Sequence, residues 1–189
     1  LKAIERSDVC ILMIDAVNGV TEQDVKIAGL IKEAYKAVII VMNKWDLVEK
    51  DTNTMAKMKK EVLNKLYFID YAPVEFMSAI NNKRVQKLMP TVEGVLEQYA
   101  KRITTGLLND AIGDAVMINS PPIKKGKQLR VFYSSQPAVN PPTFVLFVND
   151  DSLMTTQYEK YLEGRMRMSF GFDGTPIKFI YRNKSENTK

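Results

Sequence analysis

Residues 37–42, AVIIVM, carry no polar side chain and run straight into Asn43-Lys44-Trp45-Asp46. An apolar run of this length is strand-sized, and a strand that is apolar on both faces belongs between two layers, as in a parallel sheet covered by helices. A second such run, VCILMI, occupies residues 9–14. Between them, residues 22–33 offer Val25, Ile27, Leu30 and Ile31 to one side of a helix. The alternation continues with a helix over 54–66, a short strand over 74–77 and a helix over 85–99 that carries Leu88, Val92, Val95, Leu96 and Tyr99 on one stripe. Pro90 should either open the regular part of that last helix or kink it.

From Thr104 the order changes to helix, strand, strand, helix, strand, an α+β plan. Leu107, Leu108, Ala111, Ile112, Ala115 and Val116 form a helical face, and strands are predicted over 128–133 and 143–148 with the loop SSQPAVNPP between them. FVLFV is apolar on both faces and should be central in its sheet. Residues 176–182, where Lys178 and Arg182 alternate against Ile177, Phe179 and Tyr181, should have one wet face. Met154, Tyr158, Tyr161, Leu162 and Met166 suit a covering helix. The expected organisation is an α/β domain over 1–103, a small α+β domain over 104–182 and a flexible tail over 183–189.

Composition narrows the chemistry. The 189 residues are 46% apolar, enough for the cores of two small domains, yet no window approaches the ~18 apolar residues of a membrane span. Cys10, the only cysteine, lies in an apolar run with no disulfide partner, and no secretory leader is recognisable, so a cytoplasmic location is expected. The absence of histidine excludes a Ser-His-Asp centre and His-ligated zinc, leaving carboxylates, lysines and backbone dipoles. The chain opens on Leu1 rather than methionine, as expected of a segment of a longer product.

Asn43-Lys44-Trp45-Asp46 has the pattern N-K-x-D, placed where ligands bind in open α/β sheets, at the carboxyl end of a strand. Guanine presents N1–H and its 2-amino group side by side, and the two oxygens of Asp46 could accept both; adenine offers no such pair. Lys44 could lay its methylene stem along the base while Asn43 ties neighbouring loops together. The next strand ends in Ser78-Ala79, where a backbone N–H could meet guanine O6. The alternative is a solvated turn.

Six stretches, DAVNGVTEQD, NKWDLVEKD, DYAPVEFMSA, PPIKKGKQLRVFY, VNPPTFVLFVND and YLEGRMRMSFGFDGTPIKF, resemble the EngA, or Der, family of bacterial GTPases across essentially the whole chain. The resemblance implies part of a P-loop-type GTPase domain, a parallel sheet with covering helices, followed by a small α+β KH-like domain. It implies that Asn43, Lys44 and Asp46 read guanine, that Ser78 and Ala79 form the supporting loop, and that the nucleotide is GTP or GDP with magnesium. It also implies a role in assembly of the large ribosomal subunit. The partners it suggests are ribosomal RNA or the large subunit and a further GTPase domain of the same parent chain, with no membrane.

Departures from the pattern qualify that expectation. The sequence has no G-x-x-x-x-G-K-[ST] loop and no D-x-x-G segment, so the chain alone should be inactive, and magnesium would be reached only through residues it lacks. Asp15 ends an apolar run as a magnesium-associated acid would, but Asn18 stands in place of the glycine, which favours a simple strand-end carboxylate. GFDG at 171–174 has the letters of a KH clamp, but its helix–strand setting and Asp173 favour a turn. Better RNA candidates are Lys124, Lys125, Lys127 and Arg130, in a chain with a net charge of +5. The alternative function is a non-catalytic binding or regulatory module that packs on a partner GTPase domain.

Overall fold

The computed structural model describes residues 2–124 and 126–184. The chain parts into two units, the first running to Tyr99 and taking in Phe172–Pro176, the second comprising Ala100–Gly171 and continuing from Ile177.

The first unit contains α1 (Lys2–Arg6), β1 (Val9–Asp15), α2 (Glu22–Glu33), β2 (Ala37–Asn43), α3 (Thr54–Lys65), β3 (Val74–Phe76) and α4 (Leu88–Tyr99). Its sheet has the order β1-β2-β3 and is parallel throughout. The unbroken apolar run of β2 has a direct cause. Val38, Ile40 and Met42 pack with Leu12, Ile14, Ala28, Ile31 and Val62 on one side, and Ala37, Ile39 and Val41 pack with Val95 and Tyr99 on the other. Each such residue contributes about 1.5–3 kcal/mol for the larger aliphatics, so a charge anywhere in the strand would break one layer.

Local chemistry sets the helix ends. Thr21 and Asp24 form a capping box, the Thr21 amide donating to Asp24 Oδ2 at 2.9 Å and the Asp24 amide to Thr21 Oγ1 at 3.3 Å. A 3₁₀ turn over Val85–Lys87 precedes α4, so Pro90 falls in the first turn, where its missing N–H leaves no bond unmade, and it opens the helix without kinking it. Leu96 is 39% exposed, so the buried stripe of α4 is narrower than predicted.

Phe172–Pro176, which sequence reading leaves in the later domain, is built into this unit. Phe172 is wholly buried and its amide donates to Gln98 Oε1 at 3.0 Å. The Gly174 amide donates to Tyr71 O and its carbonyl accepts from the Val38 amide, each at 2.8 Å. Gly174 has φ +68°, and a Cβ there would lie 2.5 Å from Val95 Cγ2, so only glycine fits. The GFDG tetrapeptide is thus a packed turn.

The second unit contains α5 (Thr105–Ile118), β4 (Ile123–Lys124), β5 (Lys127–Gln128), β6 (Val131–Ala138), β7 (Thr143–Val148), α6 (Thr156–Phe170) and β8 (Lys178–Asn183). β4 and β5 form a short antiparallel ladder; β7 is central in β6-β7-β8, antiparallel to β6 and parallel to β8. Leu108, Ile112 and Ala115 of α5 and Tyr158, Leu162 and Met166 of α6 are buried, while Leu107, assigned to the same face, is 58% exposed.

The strand predicted over 128–133 is two pieces, and β6 runs on through Ala138 into the predicted loop. Polar letters caused the misreading. Ser134 donates from N and Oγ to Asn109 Oδ1 at 2.8 and 3.0 Å, and Gln136 exchanges bonds with the Ile103 amide and Lys101 carbonyl at 2.7 and 2.8 Å. With partners supplied, burying them is not penalised. Pro137 is tolerated because β6 is an edge strand. Asn183, placed in the flexible tail, ends β8 instead; residues 185–189 of that tail lie outside the described residues. Among the described residues no helix is long and apolar enough to cross a membrane.

A candidate base pocket at the strand ends

The pocket is assembled by register. Parallel pairing sets Asp15 beside Asn43 at the carboxyl ends of β1 and β2. β2 then stops because Lys44 turns left-handed, φ 60°, into the 3₁₀ turn Trp45–Leu47. Trp45 pins that turn: it is 8% exposed, meets the Phe76 ring edge-on at 4.7 Å, and donates its amide to Met77 O at 3.1 Å. Asp46 is therefore held by a buried anchor one residue away.

Four features define the chemistry. Asp46 Oδ1 is buried and has no hydrogen-bond partner among the described residues. The neighbouring Ser78 hydroxyl, aided by the charges of Lys50 and Lys83, holds the Asp46 carboxyl below the usual carboxylate range against the opposing effect of burial. Asn43 links the two strand ends, its Oδ1 accepting the Ala79 amide at 3.1 Å. Lys44 Nζ lies 2.7 Å from Asp15 Oδ2.

Asn43, Lys44, Asp46, Ser78 and Ala79, the residues singled out in the sequence, line one cavity of about 360 Å³ together with Leu47 and Ile80. Leu47 and Ile80 are 65% and 89% exposed. The amides of Ser78 and Ala79 are bonded to Lys83 O and Asn43 Oδ1, so an O6 contact from Ala79 would have to share or replace the Asn43 bond.

Asp15 is a strand-end carboxylate with a specific task that sequence reasoning missed. It accepts from Val17 N at 2.8 Å and Asn18 Nδ2 at 3.2 Å, and Lys44 above all, then Val17, keeps its carboxyl below the usual range. The sequence signal was the equal length of the two apolar runs, which brings their ends level. Also unforeseen is a second cavity of about 550 Å³ beyond Asp46 and Trp45, edged by Lys50, Lys83 and Arg84. Among the described residues no group of three or more His, Cys, Asp and Glu side chains could hold a metal ion.

In the second unit Lys124 and Lys127 stand on the β4–β5 ladder and border a cavity of about 330 Å³ with Asp150, Ser152 and Leu153. Lys124 Nζ donates to Ser152 O at 3.1 Å. Arg130 is exposed, with its amide fixed by Asn149 Oδ1 at 2.8 Å. Asp150 lies within this basic group, its carboxyl held low first by Ser152 and then by the lysines. Lys125 lies outside the described residues.

The molecule is thus an α/β domain with a cavity at its strand ends, where open α/β sheets bind ligands, in a chain that also carries an α+β unit. Residues 1–98 match the family model of the elongation factor Tu GTP binding domain, and residues 102–182 match the C-terminal KH-domain-like model of EngA bacterial GTPase enzymes. The chain belongs to the EngA, or Der, family of bacterial GTPases. It is 54% identical to GTPase Der of Alkaliphilus metalliredigens over 98% of this chain and 42% of that protein. For GTPase Der of Alkaliphilus oremlandii the identity is 52%, and for that of Halothermothrix orenii 50%, with the same coverage. The chain thus spans about two fifths of the length of the curated relatives it matches, at 42%.

Proposed function

We propose that the cavity between Asp46 and the Ser78-Ala79 loop reads guanine, and that the chain supplies base recognition for GTP or GDP in a GTPase of ribosome assembly. The observation that carries this is Asp46 Oδ1, buried and, among the described residues, unpartnered, on a carboxylate whose proton affinity its surroundings lower. An acceptor oxygen left without a donor favours a ligand that brings one, so the site suits such a ligand. Guanine brings two, N1–H and the 2-amino group, matching a carboxylate. Asn43 holds the two strand ends together, and Asp15 pairs with the ammonium of Lys44, a residue of the cavity lining.

Bound nucleotide would supply the phosphates on which hydrolysis occurs, with magnesium held alongside them by residues outside this chain. Within the chain, the residues named here bind and orient the base. The second unit is proposed to contact ribosomal RNA on the large subunit through Lys124, Lys125, Lys127 and Arg130, in a cytoplasmic protein that also carries a further GTPase domain. The direct test is a nuclear magnetic resonance titration of this chain with guanosine and adenosine monophosphates. Guanosine monophosphate should shift the Asp46, Ser78 and Ala79 amides; equal responses to the two would remove base recognition from this pocket.

A further inference from the structure

The β6-β7-β8 sheet has two dissimilar faces. One is occupied by helices: Ser134 is bonded to Asn109 of α5, and the Tyr181 hydroxyl donates to Glu159 of α6 at 2.7 Å. Side chains alternate along a strand and paired residues share a face. The opposite face therefore carries Tyr133, paired with Phe147, and Phe147, paired with Arg182. Val145, which shares that face, is buried, and the exposed part lies at the Tyr133 and Arg182 end. Tyr133 is 46% exposed and its ring lies 5.8 Å from that of Phe147. At the adjoining bulge Phe132 is 49% exposed, with Lys184 Nζ 5.1 Å from its ring.

Cations surround these rings. Arg130 precedes β6, Arg182 is beside Phe147, and Lys184 N donates to Val148 O, so all three gather where β6 begins and β7 and β8 end. None is in an ion pair among the described residues. The nearby acids are engaged: Asp150 accepts from Ser152, and Asp151 accepts from Asn183. Exposed rings interleaved with unpaired cations fit a ligand with flat apolar faces and a regular negative backbone. Single-stranded nucleic acid has both, and stacking on one ring contributes about 1–3 kcal/mol per base.

We propose that the exposed Tyr133–Arg182 end of this sheet is a stacking platform for single-stranded RNA, with Phe132 and Tyr133 holding successive bases and Arg130, Arg182 and Lys184 their phosphates. This rests on the reading that the second unit contacts RNA, and moves the contact from a charged turn to an aromatic surface.

The test is fluorescence anisotropy with short labelled RNA, single-stranded and duplex, titrated with this whole chain across a range of salt. Phe132→Ala and Tyr133→Ala should each weaken single-strand binding about tenfold while leaving the salt slope unchanged. Tyr133→Phe and Phe132→Trp, which keep a ring, should bind like the parent. Arg182→Gln should lower the slope of log affinity against log salt by about 0.7. Preference for the single strand over the duplex is expected. Unchanged affinity in both alanine variants, with loss on Lys124→Gln and Lys127→Gln, would overturn the platform but leave the charged-turn contact. No RNA binding by the parent chain would overturn both. A self-associating parent that Tyr133→Ala converts to a monomer would assign the face to protein contact and overturn the proposal.

Discussion

In the first unit Asn43 ends a strand that is buried on both faces, Lys44 and Asp46 follow it, and Trp45 between those two is itself buried against Phe76. In the second, Tyr133, Phe147 and Arg182 meet only because three strands pair, and at least one of the rings stands well into solvent. One site is anchored by its own core, the other spread over an edge. Substitutions around the first should therefore disturb folding and binding together, whereas those on the second should separate them.

The largest contrast concerns turnover. Base recognition without a phosphate loop gives orientation and no stabilisation of the transferring phosphoryl group. This chain should show no GTP hydrolysis above background in a phosphate-release assay, and turnover that disappears with Asp46→Ala would contradict that expectation.

Next is stability. Trp45→Ala should destabilise the first unit by about 3–5 kcal/mol, because it removes a buried indole packed against Phe76. Tyr133→Ala on the exposed sheet face should change stability by about 0.5 kcal/mol or less. Urea unfolding followed by circular dichroism measures both, and similar losses would erase the distinction between anchored and surface sites.

Gly174→Ala should lower the stability of the first unit by about 1–3 kcal/mol, since it adds a strained left-handed alanine to a Cβ position 2.5 Å from Val95 Cγ2. Val95→Ala in the same chain should recover part of the loss by making room. Absence of recovery would leave backbone strain as the whole cause.

The smallest expected effect treats the two units alike. Burial, then Asp8 and Cys10, raises the Tyr99 hydroxyl from 10.0 to about 12, and burial, then Tyr161, does the same for Tyr158. A raised folded value means the neutral phenol is favoured in the native state. The stability it adds is complete below pH 10 and declines as pH climbs toward 12. Tyrosinate absorbance and unfolding midpoints across that window should show both units weakening, and Tyr99→Phe should flatten the decline in the first.

These contrasts also explain what could be read from the letters. Strands buried on two faces announce themselves as apolar runs, so the parallel sheet, the central place of β7 and the position of N-K-x-D at a strand end were all legible. Pairing partners distant in sequence were not. The Lys44–Asp15 pair spans 29 residues and depends on β1–β2 register. β6 runs through polar residues whose partners, Asn109 and Lys101, are 25 and 35 positions away. Phe172–Pro176 leaves its neighbours in sequence because the Val38 amide donates to the Gly174 carbonyl and the Tyr71 carbonyl accepts the Gly174 amide, which no local pattern records.

The central claim is that Asp46 reads a base edge. It is tested most directly by titrating the parent chain and Asp46→Asn with the monophosphates of guanosine and xanthosine, following the Ser78 and Ala79 amides by nuclear magnetic resonance. Xanthine has a carbonyl where guanine has the 2-amino group, so the asparagine amide can donate where the carboxylate accepted. The account predicts that the parent prefers guanosine monophosphate and that Asp46→Asn reverses the order, with a loss of about 2–4 kcal/mol for guanine. An order of preference that is the same in both chains would contradict it.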